Sequence, residues 1–224
     1  MQGKFYTIKP STDTSEIGDS YPQAGMTLEY DKYAFNSFRN LKSFQLPDFT
    51  PNLDHFFLDE RAKLTDLISG SMICYGLLLN TKFKNLLQNF SIQSHTIFKA
   101  FIKSETVDEI YHWLHFGPNE IIDQIYYPGS TFYVKMNLLK KETIKLESYE
   151  DYWSKLKKLN YKAIKRERLV LRQAIEYDLF VIPFFDGQIY ISESLKIAIE
   201  KAKISGVQIS QSKGIVFHSA SEGT

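Results

Sequence analysis

An α+β fold, with a mixed or antiparallel sheet and packed helices, is predicted by three features of this chain. Strand-like and helix-like segments alternate without the regular period of an α/β barrel. The pair Asp186-Gly187 stands between two apolar, β-prone runs, which signals a two-residue hairpin. The stretch "GQIYISESLKIAIEKAKISGVQI", Gly187 to Ile209, then spells strand, cap, helix, stop and strand.

Taken in order, "GKFYTIKP" reads as a first strand stopped by Pro10. Residues 11–25 collect Ser, Thr, Asp, Gly and Pro, a loop composition. Residues 30–59 are aromatic and irregular, interrupted by Pro47 and Pro51. "TVDEIYHWLH", Thr106 to His115, reads as a short helix with acids in its first turn and "GPN" after it. "TFYVKMNL" from Thr131 reads as a strand. From Ser148 to Asp178 the pattern is mostly helical, with Ser148 as cap and Trp153, Leu156 and Leu159 as the apolar face. The final unit has Ile189–Ile191 as strand and Ser192 as cap. Leu195, Ala198, Ile199 and Ala202 form the buried face, and Gly206 is the left-handed stop. The tail after His218 is small and polar.

The final unit has a counterpart. "LLLNTKFKNLLQNFSIQSHTI", Leu77 to Ile97, lies 112 residues upstream of Ile189 to Ile209 and aligns with it ungapped. Asn80 then faces Ser192 at the cap, Phe83 faces Leu195, and Leu87 faces Ile199. Two pseudo-repeated strand–helix–strand units are therefore expected, with halves at 1–112 and 113–224. The alternative, that any two units of this grammar would align so, stays open. No Gly/Ser/Pro-rich linker separates the halves, so 1–224 reads as a single domain.

Composition narrows the function. The chain has 224 residues, 15% of them aromatic (17 Phe, 14 Tyr), and a net charge of +1. The aromatic surplus can fill a core or furnish an interface. The near-zero charge recommends neither nucleic acid nor an acidic partner. One cysteine, Cys74, excludes an internal disulfide and suits a reducing compartment. The start lacks a basic-then-apolar leader, and the longest apolar run, Met72 to Leu79, is too short to cross a bilayer. A cytoplasmic protein with no membrane contact is expected.

Chemistry-bearing motifs are few. His112 and His115, three apart on the expected helix, would share a face with Asp108. Zinc needs three or four ligands, so hydrogen-bonded structural histidines are the preferred reading. Cys74 in an apolar run reads as buried and inert. GxSxG, HExxH, P-loop and GxGxxG patterns are absent from the sequence. No catalytic, cofactor-binding or metal-binding residue is assigned, and no cofactor is expected. The segment "KLKKLNYKAIKRERLVLR" is strongly basic. Lys157, Lys158, Lys162, Lys165 and Arg166 are its candidate partner-binding residues, either on a solvated helix face or against an acidic protein surface. Nucleic acid is disfavoured as the partner.

"DLFVIPFFDGQIYISESLKIAIEKAKISGVQI" resembles the C-terminal signature of bacterial immunity proteins from polymorphic toxin systems. "GKFYTIKP" and "YHWLHFGPNEIID" followed by "STFYV" are similar to other landmarks of that family. The resemblance implies a protein that binds a cognate toxin domain and neutralises it without catalysis, its motif residues holding a scaffold. Immunity proteins that plug nuclease toxins are often markedly acidic, and this chain is not. The alternatives are a hydrolase or transferase with a cleft assembled from scattered residues, and a nucleic-acid-binding module.

Overall fold

In the computed structural model of the chain, the structure describes residues 4–27, 29–70, 76–104, 108–118, 120–135, 140–160, 163–182, 185 and 187–218. Their order is β1 (Phe5–Pro10), α1 (Thr14–Ile17), β2 (Ala24–Met26), β3 (Phe56–Leu58), β4 (Leu67–Ile68), β5 (Gly76–Asn80), α2 (Thr81–Leu87), β6 (His95–Lys103) and β7 (Asp108–Phe116). There follow β8 (Thr131–Lys135), β9 (Lys141–Ile144), α3 (Tyr149–Lys158), β10 (Ile164–Leu171), β11 (Leu179–Val181), β12 (Ile189–Ser192), α4 (Glu193–Lys201), β13 (Val207–Gln211) and β14 (Ile215–Phe217). The fold is α+β, with three mixed or antiparallel sheets ordered β2-β3-β6-β7-β5-β4, β11-β12-β1-β13 and β14-β10-β8-β9.

Both segments of the aligned pair form strand, cap, helix and strand. Asn80 accepts from the Phe83 amide and Ser192 from the Leu195 amide, so each closes the open first turn of its helix. In each case the two flanking strands bracket a third. β5 and β6 both run antiparallel to β7, while β12 and β13 both run antiparallel to β1. The N-terminal strand thus does for the second unit what β7 does for the first.

The correspondence extends further. β3 pairs parallel with the end of β6 (Phe56 opposite Ile102), and β10 pairs parallel with β14 (Leu169 opposite Ile215). Antiparallel partners, β2 and β8, flank β3 and β10. Two copies of one β-rich unit therefore build the molecule.

A pair of carboxylates joins them. Asp66 accepts from the cap side chain Asn80 Nδ2 (2.7 Å), from Lys82 Nζ (2.9 Å), and from the amide and hydroxyl of Ser205 across the molecule (2.7 and 3.0 Å). Asp178, 112 residues on, accepts from the cap Ser192 Oγ (2.5 Å), from Ser194 Oγ (2.9 Å), and from the Ser91 amide of the first unit (3.0 Å). Each aspartate holds its own helix start and the other unit's strand entry. Backbone bonds repeat the exchange, Leu67 N–H to Ser205 O and Leu179 N–H to Ser91 O. Burial by itself pushes the Asp66 carboxyl up, but the Ser205 amide, Lys82, Asn80 and the Ser205 hydroxyl outweigh it and hold it below the usual range.

Within the sheet β11-β12-β1-β13, strands β11 and β12 are buried on both faces. Ile8, Leu179, Val181 and Ile191 face a core shared with Leu77, Leu79, Leu114 and Phe116 of the six-stranded sheet, closed by Phe83 and Leu87 of α2 and Leu195 and Ile199 of α4. The alternate residues Phe180, Ile182 and Tyr190 face a second core with Phe132, Val134, Ile164, Leu169 and Leu171, covered by Tyr152 and Leu156 of α3. Period-two alternation in β11 and β12 thus feeds two cores at once.

Four expectations need correction. Residues 108–116 form strand β7, not a helix; Tyr111 and Trp113 are buried on one face and Leu114 and Phe116 on the other. Burial on both faces hides the period of two that would have marked a strand. The stretch 148–178 is helical only to Lys158, because Asn160 turns left-handed (φ 51°) and the chain leaves as strand β10. β11 and β12 do pair, but Val181 already faces Ile189, so the connection spans 182–188 and is no two-residue turn. Asp186 lies outside the described residues. Finally, Lys203 (φ 51°) is the left-handed residue ending α4, with the Ile204 amide bonded to Ile199 O. Gly206 (φ 74°) instead permits a close approach, since a Cβ there would stand 2.2 Å from Leu67 O.

Two outcomes follow from this packing. Leu195→Asp sets an unpartnered carboxylate in a fully buried position and is expected to destabilise the fold by about 4 kcal/mol; an unchanged melting midpoint would refute the burial. Asp66→Ala is expected to cost about 2–4 kcal/mol at pH 7. The Asp66 carboxyl is depressed in the folded state relative to about 3.9 unfolded, so its contribution is present at neutral pH and is lost as pH falls through the folded value. Denaturant melts at pH 7 and pH 3 should show the gap between wild type and variant narrowing in acid.

Candidate functional site

The two units differ where β13 gives way to β14. In the first unit β6 runs unbroken for nine residues, from its pairing with β7 to its pairing with β3. In the second unit the equivalent strand stops at Gln211 and resumes at Ile215. Gly214 (φ 76°) makes the bend, with its carbonyl accepting from the Leu169 amide at 2.6 Å. A Cβ there would lie 2.4 Å from Glu167 O. The break separates two four-stranded sheets and leaves a cleft of about 740 Å³ between them.

The cleft wall is cationic. Lys9 of β1, Lys165 and Arg166 of β10, and Lys213 of the bend line it, with Thr7, Gln188, Ser210 and Gln211 between them. Glu167 is the carboxylate among the described lining residues, and it lies 3.9 Å from Lys141 Nζ. Arg166 ties the break together. Its Nη1 donates to Lys213 O at 3.1 Å, its Nη2 donates to the buried Tyr190 hydroxyl, and the guanidinium lies 5.7 Å from that ring's centre.

A second surface feature lies on the irregular segment before β3. Tyr33 and Phe35 are 84% and 83% exposed, on a loop that is itself well held. Asn40 Nδ2 donates to both Ala34 O and Phe35 O (3.1 and 3.0 Å), and Asp31 Oδ1 accepts from the Tyr33 amide. The loop base is anchored by Phe38, buried 4.9 Å from Tyr30 and 6.0 Å from Trp113, and by the Tyr30 hydroxyl accepting from the Phe38 amide.

The residues singled out in the sequence are dispersed. Lys157 and Lys158 are exposed on the last turn of α3, while Lys165 and Arg166 sit on β10 at the cleft; Lys162 lies outside the described residues. His112 and His115 do not share a face, because on a strand a spacing of three puts them on opposite sides. His112 meets Thr81 Oγ1 at 3.3 Å and its pKa is lowered by burial and then by Lys84 and Lys99. His115 is buried with Nε2 against Gln45 O at 3.0 Å. No group of three metal-ligating side chains occurs among the described residues. Cys74 lies outside them. Among the described residues, no helix is long and apolar enough to cross a membrane.

Lys9, Lys213, Tyr33 and Phe35 escaped the sequence reading. Lys9 and Lys213 stand 204 positions apart and reach the same cleft only through the pairing of β1 with β13. The aromatic pair had a weak signal, a "DKYAF" run in a segment without periodicity. No protein-family model matches this chain, and no curated protein is similar to it at a significant level.

Arg166→Met should remove the tie between β10, the bend and Tyr190. The expected loss is about 1–3 kcal/mol, with faster amide exchange at Leu169 and through Ile215–Phe217. Exchange rates unchanged from wild type would show that Arg166 does not hold the break.

Proposed function

We propose that this protein is a toxin-neutralising immunity protein, which binds a cognate toxin domain in the cytosol and blocks it by occupying its surface. The observation that carries the reading is the exposed Tyr33–Phe35 pair on a loop whose backbone is already hydrogen-bonded into place. Large aromatic side chains presented without an ordering cost are the residues that dominate protein–protein binding energy. The resemblance of the C-terminal strand–helix–strand signature to immunity proteins supports the same reading. In this scheme that signature is scaffold: Leu195 and Ile199 face the core, Ser192 caps α4, and the partner meets loops and clefts elsewhere.

The mechanism needs no bond made or broken. A toxin domain whose active surface is covered is inactive in proportion to the fraction bound, so affinity is the working quantity. The Phe38 anchor fixes the loop while the two exposed rings remain available for a pocket on the toxin.

Co-expression with the toxin domain encoded beside this gene is expected to restore growth, and the purified pair is expected to form a one-to-one complex. Tyr33→Ala/Phe35→Ala should leave the melting midpoint unchanged and weaken the complex about 100-fold, close to 3 kcal/mol. Absence of any complex with the wild-type chain would overturn the proposal.

A further inference from the structure

We propose that the cleft at the β13–β14 break seats an extended, carboxylate-rich segment of the protein partner; this rests on the reading of the chain as a binder of a protein toxin. The whole chain carries a net charge of only +1, yet Lys9, Lys165, Arg166 and Lys213 all line this cleft, with Glu167 as the carboxylate among the described lining residues. Glu167 itself is drawn toward Lys141. Concentrated charge inside a concave surface acts on the approach of an oppositely charged partner and on its register once docked.

Among the described residues, the internal repeat accounts for the asymmetry that opens the cleft in the second unit. The unbroken β6 carries its sheet past the same position in the first unit, whereas the bend at Gly214 parts the two sheets in the second. A local departure from a repeated scaffold, lined by charge and held by Arg166, is what a grafted binding site looks like. The volume of about 740 Å³ falls within the range of about 300–1,000 Å³ typical of ligand pockets.

Two features favour a peptide over a nucleic acid strand. β13 ends its sheet, and the Ser212 amide donates to Phe5 O. That bond sets the ladder's phase, so Gln211, which lines the cleft, turns its own amide and carbonyl away from β1. An extended peptide can pair with those groups. Single-stranded nucleic acid instead needs an aromatic face to stack on. The lining aromatics are Tyr133, whose ring has the Lys141 ammonium 4.5 Å from its centre, and Phe185, which is buried.

The probe is a fluorescein-labelled decapeptide of alternating Glu and Thr, titrated by anisotropy at low salt against the full-length chain. It is expected to bind, to weaken at least about tenfold with K165E/K213E at an unchanged melting midpoint, and to weaken as salt rises. The same double reversal is expected to weaken the complex with the adjacent-gene toxin, chiefly by slowing association. Peptide binding unmoved by K165E/K213E, tighter binding of an oligothymidylate than of the peptide, or a toxin affinity indifferent to the reversal would each overturn the cleft proposal. If the wild-type chain forms no toxin complex while the peptide still discriminates, the immunity reading fails and the preference of the cleft for acidic segments stands.

Discussion

Two carboxylates, the buried Asp66 and the half-buried Asp178, join the two units of this molecule. Each accepts hydrogen bonds from its own helix cap and from the entry to the other unit's strand, so each ties a helix start of one half to the backbone of the other. A buried charge is tolerated only where donors surround it. Asp66 has four such bonds, and Asp178 has three from side-chain and backbone donors. Both carboxylates lie beside the core that Leu195, Ile199, Phe83 and Leu87 fill, and each hydrogen-bonds across from one unit to the other.

From that symmetric frame the asymmetries acquire meaning. β1 is far from the C-terminal unit in sequence but occupies the central place in its sheet. The chain therefore has to bring its ends together before the second unit is complete, a long-range closure that costs loop entropy and tends to slow folding. The second unit also breaks the strand that the first keeps whole, and polar residues of β1 and β13 then look into an opening rather than into a core. Scaffold and opening have different owners in the chain: the repeated strand–helix–strand grammar makes the one, and the bend at Gly214 makes the other.

Legibility in the sequence followed locality. The C-terminal unit could be read because cap, apolar face and stop lie within a few residues, and because α4 is buried on one face alone. β7 could not, since both of its faces are buried and the string "DEIYHWLHF" shows no clean period. β10 was read as helix because Lys165 to Arg168 interrupt its apolar pattern, and only the antiparallel pairing with β8 and parallel pairing with β14 select the extended state. The repeat was visible at Leu77 and Ile189. Its energetic centre was not, although an Asp-Leu pair recurs at 66–67 and 178–179 with the same spacing of 112.

By itself the sequence determined the α+β class and the capped helices at Asn80 and Ser192, and it suggested two like units, because these depend on short-range propensity and on one-sided burial. Tertiary structure alone decided which strands the two units share, how Asp66 and Asp178 exchange partners, and that Lys9, Lys165 and Lys213 line one cleft. Those outcomes depend on contacts between residues from tens to well over a hundred positions apart, and no local pattern of side chains encodes a neighbour at that distance.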